Sequence, residues 1–466
     1  MSLAETTIAP PGLVTVVAPA KPLSLFEMMR VAQDNNLAIV PEAAYEQPVY
    51  EFKAGFGSAF VISDPGEIKR VLLDNVANYP KGAEESRILG AAFGDGLLTS
   101  DGDKWRKHRR IMAPSFDHRS IVAYAPPMVE ATSRFLQRWD GMATGVVIDI
   151  EAEMTALTLD IISRTMFSAD AEGMGALVDQ TLTRGMAAMR FGLLDIVPVL
   201  GPWRMKRTLE RIRKIFSALD SAIEALIKAR AARSVDAPVD LLARLVAAKD
   251  GPGKDGEGGG AMTAREVRDE VVIIFIAGHE TTAGAMTFVW YLLSKHPEAE
   301  ARLHAELDRV LGGRAPTYDD LENLPYARQV IQEAMRLYPP APALAGRAAV
   351  AEDEIGGKRI PKGSQVIVMP WVIHRHRALW RDPDRFDPDR FSPENSAGRD
   401  RFAYMPFGGG PRICIGAALA MTEAHLILAA MAQRYAPRFV EDQDLSLRAR
   451  ITLAPRNGLK MTLRRR

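Results

Sequence analysis

Two spacings of apolar residues divide the chain into a long helical body and a few short strands. Val49–Phe52 and Ala59–Ile62 alternate apolar with polar and flank Gly55-Phe56-Gly57-Ser58, which predicts a hairpin. Asp64-Pro65-Gly66-Glu67 predicts a helix start, with Asp64 as cap, Pro65 at the first helical position and Glu67 at the third. Residues 25–36 read as helical, and 126–175 and 205–247 as amphipathic helices. Thr263 and Glu266 form a capping box opening another long helix, in which Val271–Ile276 is apolar all round and therefore buried. The stretch 77–100 lacks a period and holds Pro80, Gly82, Gly90, Gly94 and Gly96. It reads as a long loop of the kind that carries function. Met186–Pro202 is apolar but broken by Pro198, Gly201 and Pro202; plain core packing and a mobile segment both fit it. Val366–Met369 reads as a strand, and a final hairpin turns at Asn457-Gly458.

Composition narrows the class without naming it. Hydrophobic residues make up 47% and charged residues 25%, as in an ordinary soluble globular protein. A net charge of +1 gives no reason to expect nucleic-acid binding. Length alone would suggest about three domains, yet no interior linker supports a split. Lys249–Gly260 is the one low-complexity tract and reads as a surface loop. We therefore expect a single domain over residues 25–466. Residues 1–24, with Pro10, Pro11, Pro19 and Pro22, read as an extended, partly mobile lead-in. The run Gly12–Ala20 is too short and interrupted to be a transmembrane anchor, and no charged segment precedes it as in a signal peptide. A cytoplasmic location is expected.

Cys414 is the only cysteine. It cannot form an internal disulfide, and it cannot supply the clustered ligands of a zinc site. A buried inert thiol, a nucleophile and a single axial thiolate on a metal cofactor remain. Its surroundings favour the last. Gly408, Gly409 and Gly410 let the backbone bend around the sulfur, and the apolar stretch after it opens a helix whose first N–H groups and dipole favour negative charge. The pattern Phe407, Gly410, Arg412, Cys414, Gly416, followed by Ala420 and Glu423, resembles the haem-binding signature of the cytochrome P450 family. That resemblance implies haem b (iron protoporphyrin IX) bound to the Cys414 thiolate. It also implies a mainly α fold with a small β-rich lobe, the cytochrome P450 fold.

Other motifs resemble the same family in the same order along the chain, from about residue 45 to the C-terminus. Trp105 and Arg109, four apart, share a helix face. They resemble the family's propionate-binding pair, which leaves Lys104, Arg106 and Lys107 to face an acidic partner; a plain solvated basic face is the alternative. Ala277-Gly278-His279-Glu280-Thr281-Thr282 sits in the buried helix, where polar groups are costly and need a reason. A zinc-protease reading fails, because position 283 is alanine where a second histidine would be needed. The family's oxygen-activation motif is similar. It implies Ala277 beside the haem, Thr281 holding a water and Glu280 relaying protons, with no chemistry for His279. Glu333 and Arg336, with Arg390 further on, resemble the family's buried triad, which locks the fold behind the cysteine loop. Arg347 resembles the second propionate ligand, and His374 and Arg375 are candidates for that role. Four cations (Arg109, Arg347, His374, Arg412) would then offset two propionates. Apolar Ala341–Gly346 and Thr452-Leu453-Ala454 could line the pocket, and in the family Met186–Pro202 is the lid over the substrate channel.

The resemblance implies a soluble bacterial-type monooxygenase that inserts one oxygen atom from O2 into a hydrophobic small molecule. With no second cysteine for an iron–sulfur cluster, electrons are expected from an external donor such as a ferredoxin and its reductase. A haem-thiolate peroxygenase or isomerase, and a non-catalytic haem sensor, are the alternatives; the pair Glu280-Thr281 argues against all of them. A haem-free hydrolase using Cys414 as nucleophile would need a base, for which Glu423 and His425 are poor choices.

Overall fold

A computed structural model describes the chain except residues 1–5, 10–11, 33–34, 55–56, 169–176, 178–179, 182–183, 186–187, 189–199, 233–239 and 251–261. Most of the expected lid at 186–202 and of the low-complexity tract at 249–260 therefore lies outside the described residues. The described α-helices of five residues or more are, in chain order, α1 (Leu25–Ala32), α2 (Pro65–Lys69), α3 (Ala83–Phe93), α4 (Gly102–Met112), α5 (His118–Asp140), α6 (Ile150–Phe167), α7 (Leu200–Ala231), α8 (Leu241–Asp250), α9 (Ala264–Lys295), α10 (Pro297–Leu311), α11 (Pro325–Leu337) and α12 (Ala417–Met431). The chain divides into two compact units, one of residues 1–82, 129–157 and 281–466, the other of 83–128 and 158–280.

Every strand among the described residues lies in the first unit. Its largest sheet has four strands in the order Val49–Ala54, Gly57–Ile62, Gln365–Val368, Arg347–Ala348, the middle two parallel. The expected hairpin forms with Val49 opposite Ile62. Asp64 caps α2, its Oδ1 accepting from Glu67 N at 3.0 Å. Phe60, Ile62, Val71, Leu72, Val366, Val368, Phe402 and Met405 form one core cluster, with Leu344 packed against it. The sheet is thus joined to the segment that leads into the cysteine loop.

Two expectations about local structure are corrected, and the lead-in gains a fold of its own. Within the extended lead-in, Thr6–Ala9 pairs antiparallel with Leu13–Val16. Val14 N donates to Tyr291 Oη at 3.1 Å and Tyr338 Oη donates to Val14 O at 2.7 Å, so buried tyrosines hold the second strand. The C-terminal hairpin turns earlier than expected, between Leu447–Ala449 and Leu453–Pro455. Lys460–Thr462 pairs instead with Val147–Asp149 and Arg438–Phe439, because Asp149 captures it: Oδ1 accepts from Leu459 N at 3.1 Å and Oδ2 from Lys460 Nζ at 2.7 Å. In the second unit the supposed loop 77–100 contains α3. Gly90 suggested a break, but a side chain there would meet nothing within 4 Å, and Phe93 anchors the helix by an edge contact with Phe216 at 6.0 Å.

The regular structure among the second unit's described residues is all helical. Its α9 opens with the expected capping box: Thr263 N donates to Glu266 Oε2 at 2.8 Å, and Glu266 N to Thr263 Oγ1 at 3.1 Å. Val271–Ile276 is buried at every position. Although α9 is long and apolar enough to cross a membrane, 78% of its most apolar window is buried within the protein, as in a core helix.

Candidate functional site

The cysteine loop in the first unit is shaped by backbone. Cys414 N donates to Phe407 O at 2.9 Å and Gly408 N to Met405 O at 3.0 Å, closing a tight turn before α12. Gly408 and Gly410 have φ of +73° and +68°, in the left-handed region open to glycine. At Gly410 a Cβ would fall 2.0 Å from Leu72 O, so the carbonyl of the neighbouring segment occupies the place of a side chain. Cys414 is exposed, and so is Ala418, four residues on in the first turn of α12. Phe407 and Arg412 are half-buried.

A buried polar network braces that loop. Arg336 and Glu333, both fully buried, pair through Nε to Oε2 at 2.7 Å and Nη2 to Oε1 at 2.8 Å. Arg390 Nε lies 3.4 Å from Glu333 Oε1, so the structure brings the three residues of the expected triad together. Arg336 Nη1 donates to the carbonyls of His374 (2.8 Å) and Pro383 (2.6 Å), and Nη2 to that of Arg385 (3.0 Å). All five guanidinium N–H groups therefore have acceptors.

His374 is reassigned by this network. It is fully buried, and burial, helped by the Arg336 and Arg375 cations, pulls its pKa down to about 3. Its Nδ1 donates to Arg336 O at 3.2 Å and its Nε2 accepts from Met405 N at 2.9 Å. A neutral ring with both nitrogens engaged by backbone has no charge or donor for a propionate. Its place is between the ion pair and the cysteine loop, whose Gly408 bonds to Met405. Arg375 is turned inward too, its guanidinium 3.5 Å over the Trp371 ring and its Nη2 donating to Leu337 O.

Of the other residues expected at the site, Arg347 is buried in the edge strand of the four-stranded sheet, opposite Val366. Thr281 is half-buried on α9. The next residue, Thr282, hydrogen-bonds the Glu423 side chain on α12. Burial pushes the Glu423 carboxyl up to about 8, against the Thr282 bond that lowers it, so the acid is neutral below that pH.

In the second unit, Trp105 and Arg109 lie half-buried on α4 with His108 fully buried between them. His108 was missed, although the spacing of Glu266 and Glu270 on the next long helix could have signalled a partner for it. Two of the three cations expected to meet an acidic partner are otherwise engaged. Lys104 Nζ sits 2.8 Å from Asp95 and 3.7 Å from Glu266, and Lys107 Nζ 3.7 Å from Glu266. Arg106 stays exposed, paired with Asp103 at 2.5 Å. On α9, Gly278 permits close approach of α6: a Cβ there would come 2.8 Å from Ile162 Cδ1. Thr158 Oγ1 donates to His279 O at 3.0 Å and His279 Nδ1 to Phe275 O. These side chains compete for helix carbonyls beside Ala277, which is exposed directly after the buried run. Glu280 is half-buried.

An exposed cysteine at a helix start, held in a glycine turn, and an exposed apolar residue four positions on fit a large flat apolar group with a metal at its centre. The comparisons agree. The sequence profile described as Cytochrome P450 matches residues 20–460. Cyclooctatin synthase of Streptomyces melanosporofaciens is 36% identical over 410 residues, covering 86% of each chain. Cyclooctat-9-en-7-ol 5-monooxygenase of the same organism is 34% identical over 406 residues, covering 85% of this chain and 83% of that one. Pentalenene oxygenase of Streptomyces avermitilis is 31% identical over 457 residues, covering 97% and 96%. The crystal structure of the cytochrome P450DA heme domain superposes with a TM-score of 0.78 at 29% identity, covering 90% of each chain. The chain belongs to the cytochrome P450 family. It is a haem b monooxygenase that inserts one atom of O2 into a hydrophobic organic substrate.

Proposed function

We propose that this monooxygenase hydroxylates a terpene skeleton, with Cys414 as the thiolate ligand of its haem. The observation that carries the ligand assignment is an exposed Cys414 just before α12, in a loop whose turn needs glycine at positions 408 and 410. The substrate class is supported by two of the relatives above, named for pentalenene and for cyclooctat-9-en-7-ol: a hydrocarbon and an alkenol, with little polar surface to read.

When bound, the haem supplies the oxidising chemistry, and the thiolate's electron push favours O–O cleavage. The chain's own residues bind, orient and move protons. By their motifs, Arg347, Arg412, Trp105 and Arg109 are the residues that would hold the propionates. Ala277, small and exposed, leaves room beside the ring. Thr281 holds a water at its hydroxyl and Glu280 delivers protons through its carboxylate. Glu333, Arg336 and Arg390 keep the cysteine loop in shape, through His374. Replacing Thr281 by alanine tests the proton role: reducing equivalents should appear as hydrogen peroxide at the expense of product. Unchanged coupling would remove Thr281 from the mechanism. Titration with terpene hydrocarbons and with fatty acids, read as a shift in haem spin state, tests the substrate class. A response to fatty acids alone would overturn it.

Electrons come from a separate donor of ferredoxin type with its reductase, a reading supported by the single cysteine. Arg106 is the cation of α4 best placed to meet it, since Lys104 and Lys107 face Glu266. Arg106→Glu should slow electron transfer at low salt, and an unchanged rate would discard the contact. Burial of α9 argues against its being a membrane span.

A further inference from the structure

His108 is not accounted for by the mechanism above. It is fully buried, with Nδ1 against Glu270 Oε1 and Nε2 3.3 Å from Glu266 Oε1. Both carboxylates stand on α9, four residues and so one turn apart. A ring with a carboxylate oxygen at each nitrogen can donate to both only when it carries two protons, and so a positive charge. Burial alone would remove that charge; the two carboxylates outweigh it and raise the pKa. Glu266 has further partners in Lys104, Lys107 and the Thr263 backbone and hydroxyl. Glu270 has fewer: it is fully buried, and its Oε2 has no hydrogen-bond partner among the described residues. Gly96 closes over it, since a Cβ there would come within 2.9 Å of Oε1.

We propose that His108 is a positioning residue: clamped between Glu266 and Glu270, it fixes the roll of α4 on α9 and so aims Trp105 and Arg109. This rests on the assignment of those two residues to the haem propionates. At 100° per residue, His108 and Met112 form the buried edge of α4, and Trp105 and Arg109 occupy the half-buried edge beside it. A roll of about 10° moves a group about 6 Å from the helix axis by roughly 1 Å. Misplacement of about that size costs on the order of a hundredfold where geometry controls rate.

The test uses the haem-loaded enzyme and two readouts: the rate of haem transfer to excess apomyoglobin, and the propionate bending bands in the resonance Raman spectrum. His108→Gln should speed haem loss about tenfold or more, the worth of one charge-assisted hydrogen bond, and shift the propionate bands. His108→Gln combined with Glu270→Gln, which sets two amides face to face, should recover both readouts. Glu270→Gln alone should shift the bands in the same direction as His108→Gln, and serves if the histidine variant fails to fold. Unchanged bands in His108→Gln would overturn the proposal, even with lowered thermal stability, because the histidine would then be merely structural. Arg109→Ala separates the two levels. If it leaves haem loss and bands alone, the propionate assignment falls and this inference with it. If it changes both while His108→Gln changes neither, this inference alone is wrong.

Discussion

Arg336→Lys keeps the charge at the centre of the buried network and removes its geometry. The arginine gives five N–H groups to five acceptors: both oxygens of Glu333 and the carbonyls of His374, Pro383 and Arg385. Lysine has three donors on one nitrogen, so at least two acceptors lose their partner in a site closed to water. Hydrogen bonds to a charged group contribute about 1.5–3 kcal/mol each, so two lost bonds cost roughly 3–6 kcal/mol. Against a total stability of about 5–15 kcal/mol, that is a large part of what holds the fold. The cost should fall on the cysteine loop, because His374 connects Arg336 to Met405. Urea unfolding of the haem-loaded protein should show a midpoint lowered by about 1–2 M at a slope near 3 kcal/mol per M. The purified variant should also carry less haem. A midpoint within about 0.3 M of the parent, under about 1 kcal/mol, would refute the view that donor count rather than charge makes this arginine necessary.

Gly410→Ala should sharply reduce haem incorporation, because φ is +68° and the new methyl would lie 2.0 Å from a backbone carbonyl that cannot swing aside. Gly398→Ala is the control: φ is +76° but nothing lies within 4 Å, so only the left-handed backbone cost of about 1–2 kcal/mol applies. Glu423→Gln should change how stability depends on pH. The folded pKa is raised from 4.5 to about 8, so between those values the native protein keeps a proton that the unfolded chain has lost. Stability therefore falls as pH rises, by about 1.4 kcal/mol per unit. The stability difference between variant and parent should grow at that rate between pH 5.5 and 7.5, as measured by urea unfolding at several pH values. A difference independent of pH would mean that Glu423 is ionised in the native protein.

Much of this was legible because it is local. The cap at Asp64, the capping box of Thr263 and Glu266, and the pairing of Glu333 with Arg336 are each set by residues within one helical turn. The haem signature is legible for the same reason: a glycine turn and a helix start dictate their residues in order. What could not be read depends on partners far along the chain. His374 looked like a cation near a propionate, but its nitrogens are claimed by residues 38 and 31 positions away. Asn457-Gly458 looked like a hairpin turn, but Asp149, 310 residues earlier than Leu459, draws the following strand elsewhere. Helix α3 was hidden by glycines whose tolerance depends on what packs around them, which spacing does not reveal. His108 stood in plain view between Trp105 and Arg109, yet a lone histidine gains meaning only once two carboxylates on another helix are seen to face it.

Everything above turns on the sulfur of Cys414. Cys414→Ser, purified with haem and reduced under carbon monoxide, should lose the red-shifted absorption band of a thiolate-ligated haem, and with it all hydroxylation. A serine variant that kept that band and still turned over would contradict the account.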